Sequence, residues 1–193
     1  LALVNNGSLP AFTLQASDGS LTSSAVTVTP TVTAVNDTPT GSVSISGTAT
    51  ENQQLTASNT LADDDGLGSI SYQWSRAGSS ISGATSSTYT LVQADVGSAI
   101  TITASYTDDQ GTAESVTSSA TSTVANVNDT PTGSVSISGT ATQKQQLTAA
   151  NTLTDDDGLG SISYQWSRAG SAVSGATSST YTLVQADVGS AIT

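Results

Sequence analysis

Aspartate is the residue whose clustering in this chain invites chemistry. Asp63-Asp64-Asp65-Gly66 recurs as Asp155-Asp156-Asp157-Gly158, Asp108 and Asp109 precede Gln110-Gly111, and Asn36-Asp37 and Asn128-Asp129 each open an identical Asn-Asp-Thr-Pro-Thr-Gly segment. Unit charges about 4 Å apart repel by about 1 kcal/mol in water and by about 4 kcal/mol at an effective dielectric near 20, so folding such carboxylates together favours a bound cation. Calcium, a hard ion that takes roughly six to eight oxygens, suits this donor set. An equally open alternative is that Asp-Gly clusters are solvated turns whose charge keeps the protein soluble. The spacing matches neither the calcium helix-loop-helix, with its spaced acids and late glutamate, nor the glycine-rich calcium nonapeptide.

Other chemistry is limited by what the chain lacks. It has no histidine and no cysteine, which removes Ser-His-Asp triads, Cys-His pairs, disulfides and histidine or thiolate metal sites. A carboxylate acid-base pair needs two well-placed acids, yet the only glutamates are Glu51 and Glu114, and Glu51 is replaced by Gln143 in the second copy of the repeat. A non-enzymatic protein is therefore expected. Trp74 and Trp166, with Tyr72 and Tyr164, offer a sugar-stacking face if exposed; at period two with Ile70 they fit the core of a sandwich better. The run from Val26 to Thr33 alternates threonine like a flat array, but threonines on the wet face of a strand explain it more simply, with Pro30 marking an edge or bulge. Asn6, Asn36 and Asn128 satisfy the N-glycosylation acceptor pattern, and for the last two a junction role is the simpler reading.

An internal repeat organises these features. The segment beginning at Asn36 returns at Asn128, 92 residues on, and the aligned copies differ only at Glu51/Gln143, Asn52/Lys144, Ser58/Ala150, Ala62/Thr154, Ser80/Ala172 and Ile81/Val173. Three parts follow: 1–35, the tail of a preceding, diverged unit; 36–127, a complete repeat; and 128–193, about two-thirds of a second. Within the complete repeat apolar residues alternate at period two: Val43 and Ile45; Leu55 and Ala57; Ile70, Tyr72 and Trp74; Tyr89 and Leu91; Ile100, Ile102, Ala104 and Tyr106; then Val116 onward to Val124. Around seven short strands separated by Gly, Asp and Ser turns predict an all-β fold of tandem antiparallel β-sandwiches, with one helical turn at Gln93–Gly97. Three Lys and Arg against fifteen Asp and Glu give a net charge of −12, which repels nucleic acid, and no apolar run is long enough to insert in a membrane.

Several motifs carry a family resemblance. Ser71-Tyr72-Gln73-Trp74, Tyr89-Thr90-Leu91, and Ala94-Asp95-Val96-Gly97 leading into Ile100-Thr101-Ile102-Thr103 resemble the bacterial immunoglobulin-like repeats of giant surface adhesins. Asn-Asp-Thr-Pro at each junction, with Ala16-Ser17-Asp18-Gly19, resembles the cadherin-like repeats of the same RTX-type, biofilm-associated proteins. The likeness covers essentially the whole chain and departs from antibody-type domains in having no cysteine pair and no tyrosine after Asp95-Val96-Gly97. It implies immunoglobulin-like domains at the bacterial cell surface, an extender role in adhesion, and calcium at the acidic loops, with adjacent repeats or neighbouring copies in a fibre as partners. A filament subunit and a carbohydrate-binding module are the alternatives. Thr193 aligns with Thr101, so counterparts of Ile102, Ala104, Tyr106 and Val116 are expected either from further polypeptide or from the 1–35 segment of another copy, where Phe12, Leu14, Val26, Val28 and Val32 alternate.

Overall fold

A computed structural model describes residues 11–30, 33 and 35–193; Asn6 and Val32 lie outside them. The chain is all-β, every strand pair is antiparallel, and the helical structure among the described residues is one 3-10 turn per repeat, Gln93–Asp95 and Gln185–Asp187. No helix among them is long and apolar enough to cross a membrane. Two compact units divide the chain, Leu1–Asn126 and Val127–Thr193.

In the first unit β1 (Phe12–Leu14) and β2 (Val26–Val28) form a hairpin whose Phe12, Leu14 and Val26 side chains are exposed. The complete repeat then builds two sheets. One orders β3 (Val43–Ser46), β4 (Gln54–Asn59) and β7 (Thr88–Thr90); the other runs β6 (Ser79–Ser80), β5 (Ser71–Arg76), β8 (Ile100–Thr107) and β9 (Ala113–Thr117). Alternation aims one face of each sheet into a shared core: Val43, Leu55 and Ala57 from the first, and Trp74, Ile100, Ile102, Ala104 and Tyr106 from the second, closed by Leu61, Leu91 and Val124. The Trp74 indole is fully buried, its N–H donates to the Ser86 carbonyl at 2.8 Å, and its ring lies 5.7 Å from that of Tyr89. The arrangement is that of a β-sandwich. A final segment, Val124-Ala125, bridges Val96 and Thr50 in parallel.

Strand β6 had no alternation to announce it. It exists because Ala77-Gly78, with φ of 45° and 82°, makes a two-residue hairpin turn that folds Ser79 back onto Arg76, and Ala169-Gly170 repeats the geometry at 47° and 80°.

The second unit repeats the first sheet in the same register, as β10 (Val135–Ser138), β11 (Gln146–Asn151) and β14 (Thr180–Thr182), and the short hairpin as β12 (Ser167–Arg168) and β13 (Ser171–Ala172). Trp166 stays buried with Leu147 and Leu183, its N–H on the Ser178 carbonyl at 2.8 Å. The sequence contains only the first two residues of a β8 counterpart, Ile192 and Thr193, and two consequences can be read directly. Ser163, Tyr164 and Gln165 are not strand although their twins Ser71, Tyr72 and Gln73 are. Val135 is 59% exposed where its twin Val43 is 5%. Two-thirds of a repeat, its sheets short of partners, would be expected to lose its order; the structure instead keeps the first sheet and the Trp pocket, because those contacts are closed within 135–193, Ile192 included, and leaves the face carrying Val135 and Ile137 uncovered.

Two outcomes test this packing. Trp74→Ala should destabilise the first unit by about 3–5 kcal/mol in urea titration, and a loss below about 1 kcal/mol would overturn its core role. Ala77→Gly should raise the stability of the same unit by about 1 kcal/mol, since an L side chain in the left-handed region costs roughly 1–2 kcal/mol; a decrease would remove the strain assigned to that turn.

Candidate functional site at the junction end of the repeat

Strand order places the acids. Because β5 and β8 are antiparallel with Ser71 opposite Ser105, the loop that enters β5 and the turn that leaves β8 lie at the same end of the sandwich. Asp63-Asp64-Asp65-Gly66 is in that loop and Asp108-Asp109-Gln110-Gly111 is that turn. Thr40 bridges Ala62 in antiparallel fashion, and continuing that register brings Asp37 opposite Asp65. Three segments separated in sequence thus meet where the chain enters the repeat.

Their hydrogen bonds are specific. Asp63 accepts the Asp65 N–H at 2.9 Å on Oδ1 and the Tyr106 hydroxyl at 2.5 Å on Oδ2. The buried Asp65 carboxylate accepts the Asp37 backbone N–H on one oxygen and the Gln110 side-chain amide on the other. Asp109 N–H donates to the Asp65 carbonyl at 3.2 Å, and Gly66 turns at φ 98°, in the left-handed region that favours glycine, as its twin Gly158 does at 93°. Asp108 Oδ1 takes the N–H groups of Gln110 and Thr112 at 2.9 and 2.7 Å, whereas Oδ2 is buried without a hydrogen-bond partner. Asn36 donates to Glu114 Oε1 at 3.0 Å, and Asp64 and Asp109 are exposed. In the second unit Asp129 N–H donates to Asp157 at 2.7 Å, Asp157 N–H to Asp155 at 3.0 Å, Asn128 to its neighbour's carbonyl at 2.8 Å, and Asp156 is exposed. Tyr106, Gln110 and Glu114 belong to this cluster although sequence reasoning passed over them; the β8–β9 pairing, Tyr106 opposite Glu114, is the signal that would have placed them.

Calcium can be tested against this geometry. The donors are the right kind, all oxygen, and the buried, unpartnered Asp108 Oδ2 is an atom whose chemistry calls for a cation or a water. Convergence is lacking: among the described residues no three acidic side chains form a group able to hold a metal ion, and N–H donors engage both oxygens of Asp65.

A second carboxylate arrangement is structural. Asp95 is fully buried and binds the Arg76 guanidinium at 2.6 Å, the Tyr89 hydroxyl at 2.9 Å and the Val92 N–H at 2.9 Å; Asp187 repeats it with Arg168, Tyr181 and Val184. Burial pushes the Asp187 carboxyl up, but the Val184 N–H, the Arg168 guanidinium and the Tyr181 phenol bind its charged form and hold it below the ordinary carboxylate range. With the folded value depressed, its contribution to stability is present above the unfolded pKa and is lost as pH falls through the folded one. The indole faces of Trp74 and Trp166 are buried and offer no sugar-stacking surface.

Burial and then the hydrogen bond to Asp63 push the Tyr106 phenol far above its usual value near 10. A raised folded value means that stability from the neutral phenol is complete below the unfolded pKa and disappears as pH rises through the folded one. Burial and then the hydrogen bond to Asp95 raise the Tyr89 phenol as well, so absorbance titration at 295 nm should show late-ionising tyrosines of which Tyr106→Phe removes one; an unchanged late fraction in Tyr106→Phe would contradict the Tyr106–Asp63 bond. No protein-family model, curated protein or solved structure matches the chain.

Proposed function

We propose that this chain is a stretch of an extracellular array of bacterial immunoglobulin-like repeats, without enzymatic activity, that spaces an adhesive or anchoring element away from a cell surface or builds a surface fibre. The observation that carries the reading is the gathering of Asn36-Asp37, Asp63–Asp65 and Asp108-Asp109 at the end of the repeat where the preceding segment enters. Near-identity of the two copies supports a repeated mechanical part better than a site of recognition, which one copy would serve. Two antiparallel sheets closed by a parallel terminal segment support the immunoglobulin-like assignment. Adjacent repeats are the partners in this reading, and a net charge of −12 disfavours nucleic acid.

Calcium is part of the proposal. Asn36, Asp37, Asp63, Asp64, Asp65, Asp108 and Asp109 supply oxygens in the complete repeat, and Asn128, Asp129, Asp155, Asp156 and Asp157 in the second; Asp108 Oδ2 gains most, since it has no other partner. A bound divalent ion would offset repulsion among these loops. Extracellular calcium modules bind at about 10⁻⁴–10⁻³ M, and a site at about 100 times its dissociation constant adds about 2.7 kcal/mol. Millimolar calcium should accordingly raise the melting temperature of the protein, and Asp108→Asn should blunt the rise; identical melting and identical small-angle scattering in calcium and in chelator would end the calcium part of the reading.

One observation favours a second reading, a filament joined by strand addition between copies. Val135 and Ile137 in the second unit are exposed, as are Phe12, Leu14 and Val26 of the β1–β2 hairpin, and each surface is of the kind a partner strand covers. Sedimentation of the 193-residue chain over a wide concentration range decides it, a monomer throughout excluding the filament.

A further inference from the structure

In both repeats one carboxylate grips the backbone that leads into the repeat. The Asp37 N–H donates to the Asp65 carboxylate, and the Asp129 N–H donates to Asp157 Oδ2 at 2.7 Å. Register sets this up. Thr40 bridges Ala62 and Thr132 bridges Thr154, each through reciprocal backbone bonds of 2.8 to 3.1 Å, so the residues three before and three after oppose one another across the same antiparallel track. There the turn at Asp-Asp-Asp-Gly carries the backbone away from the ladder, and the third aspartate's side chain offers the acceptor.

The second unit isolates the contact. Its sequence contains no counterpart of Asp108, Asp109 or Gln110, and Thr154 replaces Ala62 beside the loop, yet the same bond forms. It therefore depends on local register and not on the rest of the acidic cluster. At its other end the complete repeat fastens its last residues by backbone alone: Val124 N–H to the Ser98 carbonyl, Ala125 N–H to the Ala49 carbonyl and Glu51 N–H to the Ala125 carbonyl, each at 2.9 Å.

We infer that the third aspartate of each Asp-Asp-Asp-Gly loop, Asp65 and Asp157, is a latch that fixes the junction backbone to its own repeat without a metal ion. Released, the backbone leading into the second unit would be held to its own loop first at Thr132, through the bridge to Thr154, instead of at Asp129. The latch does not rest on the extender function proposed above.

Amide hydrogen exchange and ¹⁵N relaxation of the labelled 193-residue chain in chelator test the latch. A hydrogen bond to a charged acceptor should slow exchange at Asp129 by roughly tenfold or more relative to an unstructured amide. Asp157→Ala should abolish that protection and increase fast motion at residues 129–131, while the Trp166 indole signal persists; Asp157→Asn, whose amide oxygen still accepts, should retain most of it. An Asp129 amide that exchanges freely in the unsubstituted protein in chelator overturns the latch, and that measurement stands even if Asp157→Ala unfolds the unit. Protection that appears only on adding calcium also overturns it, in favour of a junction held by an ion. A protein whose melting ignores calcium but whose Asp129 amide is protected keeps the latch and loses only the calcium proposal.

Discussion

Pairing of β5 with β8 is the interaction on which the complete repeat depends. Ser71–Arg76 aligns along Arg76–Ile100 to Ser71–Ser105, which sets Trp74 against Ile102 and makes one half of the core. The second unit contains the β5 sequence unaltered but only the first residues of its partner, where Ile192 bridges Arg168. Without the rest of the ladder 163–166 are not strand and only Ser167–Arg168 pair, and the face opposite, carried by Val135 and Ile137, stays wet. A strand is thus a property of the pair more than of the segment, as expected where backbone groups need partners and side chains need a facing sheet. The β5–β8 ladder also does the positioning. By bringing the entry of one strand beside the exit of the other, it joins two acidic turns more than forty residues apart, and the Asp65–Gln110 and Tyr106–Asp63 bonds tie them.

Much of this was legible in the sequence because the repeat is strict and the alternation clean. Ile100, Ile102, Ala104 and Tyr106 point inward as their spacing requires, Trp74 is core, and the helical turn at Gln93–Asp95 is where the short polar run predicted it. What escaped was decided by turn geometry and register. β6 follows from two positive φ angles at Ala77-Gly78, a pair without the asparagine or aspartate that normally marks such a turn. The acidic clusters could be recognised as a group by composition, but the engagement of Asp65 by a backbone N–H and a glutamine amide, instead of by other carboxylates, depends on which residues the ladders set opposite it, and one sequence does not reveal that. Asp95 and Asp187 escaped for a related reason: each lay inside a family-like motif, and its burial against an arginine and a tyrosine appears only once the strands bearing those partners are side by side.

The charge balance explains why so many of these acids are held by neutral donors. Three basic residues face fifteen acids, and Arg76 and Arg168 are committed to Asp95 and Asp187. Several of the remaining carboxylates take positive partial charge from backbone N–H groups and hydroxyls: Asp18 from Ser20 and Leu21 at 2.8 Å, Asp108 from Gln110 and Thr112, Asp63 from Asp65 and Tyr106. The Leu21 and Ser20 amides hold the Asp18 carboxyl below its usual range. Dipoles of this kind satisfy each oxygen locally but cancel none of the net charge. Local satisfaction of the acids thus lets the loops of the complete repeat close, while the net charge of −12 stays with the chain.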